Sequence, residues 1–84
     1  MYLVEAYAPR TSGAEVKAAA ERASAAAAAV TAAGRRVRHV RSMFLRADET
    51  CFHLFEADAA EPVAEVVERA GIECERIVEA DFMR

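Results

Sequence analysis

The period of apolar positions along the chain switches between strand and helix four times, and with the turn residues it marks six elements. Tyr2 to Ala8 reads as a first strand, closed by Pro9, which has no N–H to continue a ladder. From Ser12 to Ala33 the period becomes helical, with Val16, Ala20, Ala23, Ala27 and Val30 on one stripe. Ser12 and Glu15 have capping-box spacing, and Gly34 stands where a left-handed C-cap belongs. Val37 to Arg46 and Thr50 to Glu56 return to strand period, joined by the hairpin connection Ala47-Asp48-Glu49. Asp58 and Glu61 form a second capping-box pair, Pro62 fits a first helical turn, and Val63, Val66, Val67 and Ala70 make the next apolar stripe. Gly71 ends that helix, and Glu75 to Ala80 is a last strand.

The order strand–helix–strand–strand–helix–strand predicts an α+β, ferredoxin-like βαββαβ sandwich with a four-stranded antiparallel sheet. The 84 residues have room for a single domain, 1–84. Both helices then cover one sheet face and leave the other open. The first helix is nearly all alanine on its inner stripe, so it must lie close on the sheet. Pairing Arg46 with Thr50 across the hairpin sets Phe44 opposite Phe52 and Ser42 opposite Leu54, and assigns these, with Val40, to the helix-covered core. The opposite parity puts His39, Arg41, Met43, Leu45, Cys51, His53 and Phe55 on the open face, with Leu3, Glu5 and Tyr7 of the first strand. That set is too apolar for water and too polar for plain core. It predicts a homodimer through the open sheet face that encloses a small polar site.

Charge and composition narrow the partners. The net charge of −3 provides no general attraction for nucleic acid or an anionic membrane. The alanine-rich run is too short and too weakly hydrophobic to span a bilayer. Met1 leads straight into an apolar strand without a leader pattern, and two cysteines are too few for a secreted disulfide framework, so a cytoplasmic protein with reduced thiols is expected. Cys51 and Cys74 fall on strands separated by the first strand, about 10 Å apart or more, too far for a disulfide. Arg35, Arg36, Arg38, Arg41 and Arg46 crowd the second strand, an edge strand in this topology, where charge guards against edge-to-edge pairing.

The residues that could carry chemistry are few. In this fold the first and third strands are central neighbours, so the parity above sets Glu5 beside His53. A carboxylate beside an imidazole can ligate a divalent metal, orient the ring or work as an acid–base pair; the plain alternative is a hydrogen-bonded pair at a dimer interface. His39 is predicted about 13 Å from His53 within one chain, so the two could share a metal only across a two-fold dimer. Cys51, about 7 Å along the strand from His53, is a further soft donor or an ordinary buried thiol. Tyr7, Met43 and Phe55 would wall the cavity or simply pack the interface.

Tyr2-Leu3-Val4-Glu5, Val40-Arg41-Ser42, the stretch from Asp48 to Ala57 and the closing Arg76-Ile77-Val78-Glu79 give the chain a resemblance to a family of small proteins catalogued as a domain of unknown function. Some members of that family are nickel-binding or nickel-responsive and have a dimeric ferredoxin-like fold. The resemblance implies a dimer with a transition-metal site. The leading expectation is therefore a non-enzymatic, homodimeric metal-binding protein with donors His53, Glu5, His39 and Cys51, a set suited to nickel or zinc. The competing expectation is a small-molecule binder or enzyme like the dimeric α+β-barrel monooxygenases, with Glu5 and His53 as acid and base in an apolar pocket. An RNA-recognition role ranks last, because the glycine- and aromatic-rich third-strand signature is missing.

Overall fold

The computed structural model describes residues 1–83. Its elements are β1 (Tyr2–Tyr7), α1 (Gly13–Ala32), β2 (Val37–Leu45), β3 (Thr50–Ala57), α2 (Ala60–Ala70) and β4 (Arg76–Glu79). The sheet order is β2-β3-β1-β4 with every neighbouring pair antiparallel, the ferredoxin-like arrangement expected.

The core lies between the sheet and the two helices. Val4, Phe55, Val63, Val66 and the α1 residues Ala23, Ala27 and Val30 are buried together there. Alanine methyls hold α1 close to the sheet along its C-terminal half. Near its start Val16, partly exposed, packs on Ala6, Ala8 and Cys51, and a pocket opens beside Ser12, Glu15 and Ala19. Neither predicted capping box forms. The Ser12 hydroxyl donates to the Pro9 carbonyl at 2.6 Å, and α2 begins after an extended Ala59, one residue beyond Asp58. Gly71 does take the left-handed conformation, φ 67°, that ends α2.

The β2–β3 hairpin departs from the expected register. Its turn is four residues long, Arg46 to Glu49, and the ladder pairs Leu45 with Thr50, Phe44 with Cys51, Met43 with Phe52 and Ser42 with His53. Glu49 has φ 49°, a left-handed residue that the three-residue connection did not require. Because side chains alternate with a period of two, this one-residue shift moves the whole of β3 to the other face. Cys51, His53 and Phe55 therefore point under the helices, 4 %, 0 % and 0 % exposed. Phe52 and Leu54 join Leu3, Val40 and Met43 on the open face. Ser42 and Phe44 keep their expected inward direction.

A second irregularity corrects His39. The β2–β3 register skips between His39 and Arg41, a β-bulge that leaves Val40 without an opposite residue. Beyond the bulge the parity of β2 reverses, so His39 turns in beside Phe55, ring centroids 5.3 Å apart, instead of facing the open side.

Ala27 is 3 % exposed and belongs to the core between α1 and the sheet. Ala27→Leu is expected to lower stability by about 1–3 kcal/mol, read as a lower urea midpoint at unchanged m-value.

Candidate functional site

Strand pairing separates the residues that were expected to meet. Glu5 lies opposite Phe52 on β3 and opposite Arg76 on β4, and its carboxylate accepts from Arg76 Nε at 2.6 Å on the open side of the sheet. His53 lies opposite Val4, on the helix side. Glu5 and His53 thus occupy opposite faces and form no acid–base pair. Tyr7 and Met43 stay on the open face, 61 % and 52 % exposed, while Phe55 belongs to the core. The cysteines are both free thiols.

The structure instead gathers His39, His53 and Cys51 within a single chain. The bulge and the register together bring the two imidazoles to 6.2 Å between centroids, not the 13 Å expected from an unbroken strand. They are linked by hydroxyls. Ser24 Oγ on α1 lies 2.7 Å from His39 Nδ1, His39 Nε2 lies 2.9 Å from Ser42 Oγ, and Ser42 Oγ lies 2.5 Å from His53 Nδ1. Cys51 Sγ completes the series, 3.7 Å from His53 Nε2. The chain runs from an exposed serine on α1 to a fully buried ring in the sheet.

The series ends at the pocket under the first turns of α1, with a volume of about 200 Å³. His53 and Cys51 form part of its floor, with Arg22, Glu15 and Glu73 around it. Arg22 is held by a hydrogen bond from its Nε to the Ala70 carbonyl at 2.8 Å.

Electrostatics keeps the imidazoles neutral. Burial pushes His53 down to about 4, helped by the positive charge His39 can carry and by Arg22. Burial likewise lowers His39 and raises the Cys51 thiol. A neutral His53 offers a lone pair near pH 7 if its proton sits on the other nitrogen. Cys51 must lose its proton to act as a ligand.

Ser42 and Ser24 were not singled out as functional from the sequence. One signal was available: a serine in a stripe assigned to the core needs a hydrogen-bond partner, and the strand opposite offered a histidine. Among the described residues, no group of three or more His, Cys, Asp and Glu side chains is placed to hold a metal ion.

Fold and site together define a ferredoxin-like α+β protein with a buried histidine–thiol pair at the base of a small pocket. The chain matches the SCO4226-like family of nickel responsive proteins over residues 2–80 and belongs to that family. No curated protein and no solved structure matches it. Among the described residues, no helix is long and apolar enough to cross a membrane.

The lowered His53 value makes stability depend on pH. Between about pH 6.5 and 4 the unfolded chain binds a proton at His53 that the folded chain refuses, so stability is full above this window and falls as pH drops through it. The loss by pH 4 is at most about 3 kcal/mol. Urea midpoints at pH 7.5 and 4.5 are expected to show this fall in the wild type. The fall shrinks in His53→Leu, where the lowered His39 remains.

Proposed function

We propose that this protein binds a divalent transition metal without catalysing a reaction, and that His53 Nε2 and Cys51 Sγ supply two of the metal's ligands. Membership of a nickel responsive family makes nickel the first metal to consider, with zinc suited to the same donors. The observation that carries the reading is the 3.7 Å spacing of these two atoms on the pocket floor. An imidazole nitrogen at about 2.0–2.1 Å and a thiolate at about 2.3 Å from one tetrahedral metal lie about 3.5 Å from each other. The Ser42 contact to Nδ1 is the kind of outer support that fixes a ligating ring. Remaining coordination positions fall to water or to groups entering the pocket. Glu5 has no part in this site, and His39 supports it through Ser42 rather than as a ligand. Residence in the cytoplasm belongs to the same proposal, since a reduced thiol is one of the donors.

The second half of the proposal is a homodimer through the open sheet face. Leu3, Met43, Phe52, Leu54 and Phe82 line an apolar groove there. Four strands side by side present a face of roughly 20 by 25 Å, about 500 Å² in flat projection, so a standard interface of ~800 Å² per partner would take in the whole of it and the residues at its rim. A second copy is the occupant that such a face fits by two-fold symmetry. The metal pocket lies on the other side of the sheet, so each protomer would carry its own.

Calorimetric titration of nickel and zinc tests the first half. Wild type is expected to bind, with affinity lowered at least tenfold in both His53→Ala and Cys51→Ser; binding that survives both substitutions overturns the assignment. Mass in solution tests the second half. Wild type is expected at twice the chain mass at micromolar concentration, and Met43→Asp is expected to move it toward monomer, because the new carboxylate would be buried without a partner. A monomeric wild type contradicts the dimer.

A further inference from the structure

We propose that Ser24, His39 and Ser42 form a proton wire from solvent to His53, which locks both imidazoles into one shared tautomer and reports the state of the pocket at the surface of α1. The argument turns on the single proton of the Ser42 hydroxyl. The hydrogen-bond partners found for Ser42 Oγ are the two rings, His39 Nε2 at 2.9 Å and His53 Nδ1 at 2.5 Å. If the hydroxyl donates to His53, His39 must donate to it, and both rings carry their proton on Nε2. If the hydroxyl donates to His39, His53 must donate to it, and both rings carry their proton on Nδ1. Opposite tautomers would either leave one ring lone pair facing the oxygen without a proton between them or leave the hydroxyl proton without an acceptor, a cost that a half-buried group avoids.

The wire has two ends. At one, His53 Nε2 faces the pocket and Cys51. At the other, Ser24 is exposed and bonds His39 Nδ1 at 2.7 Å. Anything that takes the lone pair of His53 Nε2 selects the second arrangement. Starting from the first, the Nε2 proton of His53 leaves into the pocket and Ser42 passes its proton to His53 Nδ1. His39 replaces it from Nε2 and takes a proton from Ser24 at Nδ1, and Ser24 takes one from water. One proton leaves and one enters, so the net charge of the wire is unchanged. The β2 bulge matters here, because without it His39 and Ser42 would point to opposite faces.

The part that concerns a bound metal rests on the site proposed above; the tautomer match does not. Nitrogen-15 NMR of the imidazoles at pH 8 separates the two, with zinc as the diamagnetic probe. Metal-free wild type is expected to show His39 and His53 in matching tautomers, and zinc-loaded protein to show both as the Nδ1–H form. Ser42→Ala is expected to release His39 from the match, leaving a tautomer ratio that zinc no longer changes, while Ser42→Thr restores it. Opposite tautomers in the wild type, in either state, overturn the wire. So does a match that persists in Ser42→Ala. Matching tautomers without any zinc effect on His53 support the wire and refute the metal site instead.

Discussion

Everything on the helix side of the sheet depends on the register of the β2–β3 hairpin. Glu49 fixes it. Its left-handed backbone, φ 49°, is an uncommon state for a residue with a side chain and is held by contacts from outside the turn. The Ala8 N–H donates to its carbonyl at 2.9 Å, and the Arg10 N–H donates to its carboxylate at 3.1 Å. The segment between β1 and α1 therefore clamps the turn at four residues. A slip by one would press Phe52 and Leu54 against a helix that lies close on the sheet, and would turn Cys51, His53 and Phe55 out to the open face.

Burying His53 has an energetic cost that the surrounding groups limit. A neutral imidazole in the core needs hydrogen bonds, and a charged one would be far more costly. Ser42 satisfies Nδ1, while Nε2 meets only a sulfur and the pocket. The ring is thus held by its far nitrogen, with its near nitrogen facing a small cavity. The bulge at Val40 adds the second imidazole by turning His39 to the same side. The site thus results from two departures from regular sheet geometry, a left-handed turn residue and a bulge. Bulges commonly re-aim side chains next to functional sites.

This explains how far the chain could be read in advance. Six elements, their order and the sheet topology follow from period and turn residues, and β1, with Val4 and Ala6 inward and Leu3, Glu5 and Tyr7 outward, follows its alternation. β3 does not, because Cys51, His53 and Phe55 are about as apolar as Phe52 and Leu54, so hydropathy cannot say which side is core. Turn length decides it, and the left-handed Glu49 carries no glycine or asparagine to announce it. His53 and Cys51 were legible as donors, but their neighbours were not. Glu5 was expected at the site and His39 only across a dimer, whereas Ser42 and Ser24 join His39 beside His53 within one chain.

In the proposed site His53 and Cys51 bind one metal from beneath α1. X-ray absorption at the zinc edge tests it most directly, on zinc-loaded protein carrying Cys74→Ser so that Cys51 is the sole thiol. The account predicts one sulfur neighbour at about 2.3 Å together with the outer-shell scattering of an imidazole. A first shell of oxygen and nitrogen alone, unchanged by Cys51→Ser, would contradict it.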